Sequence, residues 1–515
     1  MLTETYQDQI NGVLSCFDRI VITGTLSQIC FAEGMTSWLY SHEIRTFDYP
    51  EFANELRTRI REKALRLAEE HQIEIEHISK GHIRKEDRVK KVLEKRGYAP
   101  GLVHIISTME TCDSYKPWHD KTTHKTFLKP NTSKCLHYYF YFIDPVLGLC
   151  YVRVPTWCPF RLQFYFNGHA WLASELDKLG IGYRLLDNAF DHIDDFDKAQ
   201  QIAEELSVKD LHELLDGYAE LCCPVLDFFG QVYHWSIMQA EYATDIIFKR
   251  QSELKSLYDE LVKTAIHTVK PDNVATFLGQ KLHGNHKVEL GNRYNVRLEG
   301  CRIKHSMGSV SIKMYDKFQK ILRVETTVND VSFFKHYRTA EHRDGTKTQK
   351  LAAMKKNIYS LVPLKDELKA SNRRYLEFIS SFQTQLDARN RLEKITRAVK
   401  EKGRSYRGLN FFDKDDMRLL LTIARGEFTI HGFQNKHLKK GLAEKTCGQI
   451  SRLLKRLRLH GLIKKAGRTY KYYLTSLGKR VIATALRIKE FVIIPSLAPA
   501  FNAETFANFG QKISV

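Results

Sequence analysis

The sequence predicts an α+β protein: a mixed-sheet N-terminal domain with a helical insertion, a helical connector, and a small C-terminal module of helices and a hairpin. Three observations predict it. Strand-like and helix-like periods alternate through the first 190 residues, β-rich segments resume near residue 290 after a long helical pattern, and the positive charge gathers at one end. At 515 residues the chain exceeds a single core, and a hydrophobic content of 43% fills several.

FDRIVITGTL, residues 17–26, is β-rich and precedes the helical ELRTRIREKALRLAEEHQ, while GLVHIISTM, 101–109, is another strand. KCLHYYFYFIDPVLGLCYVRVPTWCPFRLQFYFNG reads as three consecutive strands, divided by Asp144-Pro145 with Gly148 and by Pro155 and Pro159. HAWLASELDKLG makes a helix that ends at Gly180, and IGYRLLDN is a short strand. From Asp195 to Leu282 the pattern is helical, YHWSIMQAEYATDIIFKRQSELKSLYDELVKTAI included. RYNVRLEG, SVSIKMYD and ILRVETTVN restore strands, and RYLEFISSFQTQLDARNRLEKITRAVKEK returns to helix before the linker GRSYRGLN. The domains expected are 1–195 (α/β), 196–282 (helical), 283–364 (β-rich, completing the sheet), 365–404 (helical connector), 405–492 (C-terminal module) and 493–515 (tail).

Lys and Arg outnumber Asp and Glu by 80 to 60, a net charge of +20. Residues 395–490 hold 24 of the bases and 7 of the acids, so +17 lies there and +3 elsewhere. Such asymmetry marks a polyanion-binding segment, because neutralised phosphates release condensed counterions. The ten cysteines form no C-x-x-C pair, Cys222 and Cys223 being adjacent, which argues against a zinc ribbon or a disulfide framework. MLTETYQDQI lacks the basic start and apolar stretch of a secretory signal, and no apolar run reaches about 18 residues, so a cytoplasmic protein without membrane partners is expected. P-loop, G-x-G-x-x-G, G-x-S-x-G and H-E-x-x-H motifs are absent, which leaves nucleotide hydrolysis, dinucleotide chemistry and ordinary hydrolase mechanisms without support.

From Asp413 the order is helix, short helix, long helix, hairpin and final helix. In KTCGQISRLLKRLRLHG the apolar Ile450, Leu453, Leu454 and Leu457 recur at helical spacing, which turns Gln449, Arg452, Lys455, Arg456 and Arg458 outward. Gly461 stops the helix and Gly467 with Arg468 forms the hairpin tip. This succession resembles the winged helix-turn-helix domain over about 80 residues, and LRLHGLIKKAGRTYKYYLTSLGKR resembles regulators of the MarR type. The resemblance implies that Thr446, Gln449, Arg452, Lys455 and Arg456 meet base edges or phosphates and that Arg468 and Lys471 serve the wing. MarR-type proteins are short dimers, whereas about 400 residues precede the module here, so the chain as a whole looks like a large bacterial family labelled by this terminal domain. The expected partner is double-stranded DNA, with structured RNA an alternative and homodimerisation an option.

A second stretch, RIKHSMGSVSIKMYDKFQKILRVETTVND, carries Lys313, Tyr315 and Lys317 on one strand and Arg323, Glu325 and Thr327 on the next. Alternation puts each set on one face, but whether the two share a face depends on the turn near 317–320: an odd-numbered loop aligns them and an even one does not. Y-D-K followed by L-R-x-E is similar to a hairpin in rolling-circle replication initiators, which nick one DNA strand with a tyrosine aided by a metal. The resemblance implies Tyr315 as nucleophile, with Lys317, Arg323 and Glu325 around it and His305 with Glu325 as isolated metal ligands; the His-hydrophobic-His motif of many such enzymes is missing. A cross-strand polar ladder is the plainer reading of the same residues.

Asp18, Glu110, Asp144 and Glu325 at strand ends form another candidate group, since adjacent strand-end carboxylates suit Mg²⁺ or Mn²⁺ in a nickase or transposase-like enzyme. His119, Asp120 and His124 sit in an exposed polar loop, and KGHIRKEDRVKKVLEKRG is an amphipathic basic helix. Three functions follow: a duplex-DNA-binding protein of a mobile-element, replication or regulatory setting, without a required cofactor; a metal-dependent nickase or transposase-like enzyme targeted by the winged helix; and a ligand-sensing transcriptional regulator. Carboxylates about 4 to 6 Å apart around Glu325 favour the second, and scattered acids the first.

Overall fold

The computed structural model describes residues 2–280, 290–297, 300–341, 344–381, 392–425, 428, 432–467 and 469–488. Two compact units divide the chain, Met1–Ser381 and Phe382–Val515. The first is an α+β body built on one large mixed sheet. The expected boundary near residue 405 falls inside the second unit, because Ile395 already belongs to that unit's core.

The first thirteen of the fifteen described strands of the first unit come in chain order as β1 (Ile10–Leu26), β2 (Ile75–His77), β3 (Gly101–Asp120), β4 (Lys125–Asp144), β5 (Gly148–Pro155), β6 (Leu162–Asn167), β7 (Tyr183–Leu186), β8 (Ala189–Ile193), β9 (Tyr233–Phe248), β10 (Leu290–Arg297), β11 (Gly300–Met307), β12 (Val310–Lys317) and β13 (Ile321–Val328). Eleven of them form one sheet in the order β10-β11-β12-β13-β9-β1-β6-β5-β4-β3-β2, and β7 pairs with β8 in a separate hairpin. Every pairing in the sheet is antiparallel except β2 with β3. The three expected strands after Lys134 are β4, β5 and β6, and the segment around GLVHIISTM runs on to Asp120 as β3.

The helical expectation for Tyr233–Phe248 is overturned. This segment is β9, the strand that joins the two halves of the sheet by pairing with β1 on one side and β13 on the other. Its Tyr, Trp, Ile and Thr content suits a pleated surface, and the helix begins only at Gln251 and runs to Thr268. The helix Leu361–Ser381 crosses the back of β9 and β13, where the Asn372 side chain accepts from Thr326 Oγ1 at 2.7 Å and donates to the Tyr242 carbonyl at 3.0 Å. Helices Tyr49–Glu70 and Val208–Cys222 complete the same core with Leu56, Ile60, Leu211 and Leu215. The predicted basic helix near residue 90 is Lys85–Arg96, whose Val89 and Leu93 pack on Tyr139, Tyr141 and Tyr151.

In the second unit, helices Lys414–Ile423, Asn435–Gly441 and Cys447–Leu459 are followed by strands Ile463–Lys465 and Tyr472–Leu474 and the helix Ser476–Ile488. Ile450, Leu454 and Leu457 are buried with Leu420, Leu438 and Ile463, as the helical spacing predicts. Of the helical connector expected over 365–404, the first part lies in the helix Leu361–Ser381, while at its end Val399–Glu401 pairs with Arg404–Tyr406 as a small hairpin. Residues 493–515 lie outside the described residues. Among the described residues no helix is long and apolar enough to cross a membrane.

Candidate active site

Register decides which side chains meet. Lys317 pairs with Ile321, so the β12–β13 turn holds three residues, and Phe318 and Gln319 enter it with φ of 55° and 57°. The odd turn aligns Lys313 with Glu325 and Tyr315 with Arg323, and β9 adds Asp245 opposite Arg323 and Glu241 opposite Thr327. Between Phe17/Tyr242 and Ile20/Ala240 the pairing of β1 with β9 is irregular, two residues facing one. This bulge puts Asp18 on the face that carries Glu241, and bulges serve to re-aim a side chain in this way.

Arg323 is fully buried at the centre. Its Nε and Nη2 donate to the two oxygens of Asp245 at 2.6 and 2.7 Å, Nη1 to Asp18 at 3.1 Å and Nη2 to the Asn188 carbonyl at 2.7 Å. Burial by itself raises a carboxyl, but Arg323 outweighs it and brings Asp245 down to about 2. Asp18 is held far below the carboxylate range on the same balance, with Asn167 and Asn188 donating to it at 2.9 and 2.7 Å. The helix Gly168–Lys178 starts against this group: Asn167 caps it, and a Cβ on Gly168 would lie 2.1 Å from the Phe17 carbonyl oxygen. His169 follows, with Nδ1 3.2 Å from Asp18 and Nε2 3.1 Å from Arg323 Nη2. Two neighbouring carboxylates favour an imidazolium, yet a guanidinium nitrogen only donates, so we assign Nε2 as the acceptor and the ring proton to Nδ1.

Beside this network lies a second group. Lys313 Nζ is 2.6 Å from Glu325 and 3.1 Å from Glu241, and the Tyr315 hydroxyl donates to Glu325 at 2.7 Å. One carboxylate oxygen each from Asp18, Glu241 and Glu325 lies within 4.8 Å of the others. Burial and the adjacent Glu325 charge raise Glu241, and burial with the same charge raises Tyr315 well above its usual value. Lys317 is brought down to about 8 by burial and by Arg323, with Asp187 3.7 Å away. Four carboxylates thus face two fixed cations, Arg323 and Lys313, with Lys317 at the rim. The excess of negative charge can be relieved by a proton on Glu241 or by an added cation.

Other expected residues lie elsewhere. Glu110 is paired with Lys85 and Arg153 at 2.8 and 2.9 Å, and Asp144 accepts from the Val146 and Leu147 N–H groups and from Tyr218, so neither joins Asp18 and Glu325. His305 faces the back of the sheet, where it contacts Asn292 and Tyr375, and burial brings it down to about 4. His119 and His124 sit at the β3–β4 tip with ring centres 6.5 Å apart. Glu241 and Asp245 escape the sequence reading because their strand is taken there as helix, and their i, i+4 spacing shares a face in either conformation, so spacing alone carries no signal that separates the two.

In the second unit Arg456 is not a surface residue. It is 4% exposed, forms a two-pronged pair with Asp416 at 2.7 Å on each arm, and donates to the Arg407 and Gly408 carbonyls. Thr446 and Gln449 make a reciprocal cap at the start of Cys447–Leu459, the Thr446 N–H reaching Gln449 Oε1 at 2.7 Å. Arg452 and Lys471 are exposed, and Lys455 is half-exposed and 2.5 Å from Glu401. Arg468 lies outside the described residues.

Compared with known proteins, the chain matches no protein-family model and no curated protein.

Proposed function

We propose that this protein binds duplex DNA through its C-terminal unit, folded as a winged helix, and that the face of its large sheet is a cation-dependent site that nicks one strand. The observation that carries the second half is Tyr315, whose hydroxyl lies 2.7 Å from Glu325 within the group formed by Asp18, Glu241 and Glu325. A nucleophile hydrogen-bonded to a base is the arrangement that covalent catalysis requires. For DNA binding the support is the order of three helices, hairpin and helix, the charge of +17 in residues 395–490, and the exposed Arg452 and Lys471.

Tyr315 Oη attacks a backbone phosphorus and passes its proton to Glu325. The bond from phosphorus to the 3′ oxygen breaks, its electron pair leaves on that oxygen, and Lys317 supplies the proton. The products are a 5′-phosphotyrosine and a free 3′ hydroxyl. Glu241 and Glu325 would hold the cation where Lys313 now reaches between them, and a bound Mg²⁺ or Mn²⁺ supplies charge stabilisation at the phosphate oxygens.

Incubation with supercoiled plasmid and Mg²⁺ or Mn²⁺ tests this. Nicked circles are expected with a covalent protein–DNA adduct; Glu325→Gln lowers the rate about 100-fold or more, and Tyr315→Phe abolishes the adduct. Intact but gel-shifted plasmid refutes the enzyme and leaves a DNA-binding protein. That second reading is favoured by Lys313, whose ammonium already bridges Glu241 and Glu325, and by Asp18, whose oxygens already accept from Asn167, Asn188 and Arg323.

A further inference from the structure

After β13 the chain leaves the large sheet and forms a two-stranded ribbon, β14 (Lys335–Glu341) and β15 (Lys347–Ala353), which among the described residues pairs with no other strand. Register places Lys335, Tyr337, Thr339 and Glu341 opposite Ala353, Leu351, Gln349 and Lys347 on one face. Tyr337 is 78% and Leu351 55% exposed, and Thr339, Lys347 and Gln349 are exposed with them. The other face is partly covered: Ala340 is buried, and the half-buried Arg338 donates to the Ala353 carbonyl at 2.9 Å.

Two features of this ribbon call for an occupant. A lone two-stranded hairpin is marginal in water, and this one leaves its largest apolar cross-strand pair in solvent. Its two strands carry a net +3, with Lys335 and Lys347 against Glu341 on the Tyr337–Leu351 face and Arg338 with Lys350 on the other. That equals the whole net charge of the chain outside residues 395–490, so the rest of that portion is neutral. The charge is complementary to a polyanion, and the shape to one in particular. The major groove of B-DNA, about 12 Å wide, admits a two-stranded ribbon. Strands of this length run about 23 Å, well under one helical turn of about 34 Å. At mid-face Gln349 Nε2 donates to Thr339 Oγ1 at 2.8 Å, which keeps the amide's second N–H and its Oε1 for a base edge.

We propose that β14–β15 is a second DNA-contacting element, in the sheet-bearing unit, whose Tyr337–Leu351 face enters the major groove of duplex DNA. This rests on the reading of the protein as a duplex-DNA binder and adds a contact that the C-terminal unit does not make.

The test uses the full-length protein and a random-sequence duplex, with Arg452→Ala as the comparison. A Lys335→Ala/Lys347→Ala variant is expected to bind about tenfold more weakly at 0.1 M salt, with a log–log salt slope smaller by about two. Tyr337→Ser loses affinity with the slope unchanged. Tyr337→azidophenylalanine, photolysed on the bound duplex, cross-links to DNA, which makes the result independent of whether the multiple variant folds. If wild-type protein binds no duplex, the functional reading falls and this one with it. If wild type binds and Arg452→Ala weakens it while the ribbon variants bind unchanged, or the azide captures a second protein chain and no DNA, the ribbon proposal alone is overturned.

Discussion

Arg323 heads the largest fully buried side chains of the protein, and its guanidinium reconciles two carboxylates that burial would otherwise reject. Removing one partner of such a group strands the other charges, at a cost of about 3 to 5 kcal/mol. Arg323→Met is therefore expected to lower stability by that amount at pH 7, as read by urea unfolding. The sign with pH follows from Asp245, whose carboxyl in the fold is brought down to about 2 against about 3.9 in an open chain. The stabilisation from Arg323 is full above the open-chain value and is lost as pH falls through about 2. In the variant the stranded carboxylates take up protons at higher pH, so the gap to wild type narrows between pH 7 and pH 4. A constant gap would show that Asp18 and Asp245 are not what Arg323 serves. At this scale the sequence was half legible: it put Lys313 with Tyr315 and Arg323 with Glu325 on one face of each strand, but whether the two sets meet waited on the length of the turn, which the structure gives as three residues. Asp18 was singled out, but what joins it to Glu325 is a bulge, and a bulge leaves no mark in the alternation of FDRIVITGTL.

Two elements show where local pattern yields to tertiary context. Tyr233–Phe248 runs directly into the helix Gln251–Thr268, and a window spanning both averages a strand into helix. In Cys447–Leu459 the apolar spacing finds the buried Ile450, Leu454 and Leu457, yet Arg456 lies on the flank next to His460, where Asp416 and the backbone of residues 394–408 close over it. An amphipathic wheel cannot distinguish a charge facing water from one facing a buried carboxylate. Burial raises Asp416 and Arg456 more than reverses this, so Asp416 sits below its ordinary range and the pair's stabilisation persists down to acid pH. Arg456→Ala is expected to destabilise the C-terminal unit by about 3 to 5 kcal/mol in thermal melts. Arg452→Ala leaves melting unchanged and weakens DNA binding. An Arg456→Ala protein that melts like wild type but binds DNA poorly would return Arg456 to the surface.

For the whole molecule the informative quantity is where the second unit begins. His460 contacts the Lys394 carbonyl at 2.8 Å, and Ile395 packs with Leu409 and Leu457. A fragment that starts at residue 405 lacks these contacts, whereas one that starts at 382 keeps them. The longer fragment is expected to unfold cooperatively and to bind duplex DNA with affinity falling steeply in salt, and the shorter to melt lower by several degrees or fail to fold. Equal melting of the two would make residues 382–404 a mere tether. Several strands of the large unit were readable from composition, but Tyr233–Phe248 and the ribbon at 335–353 were not, and neither was the strand order. Sheet order depends on which distant segments pair, and β9 lies between β1 and β13, far from both in sequence.

The three-residue turn between Lys317 and Ile321 also limits how this gene can drift. Gain or loss of a single codon there would reverse parity and swing either Lys313 and Tyr315 or Arg323 and Glu325 to the opposite side of the sheet. Two codons at once restore it. Length variation at this turn should therefore be inherited in pairs wherever the tyrosine and the glutamate are kept together.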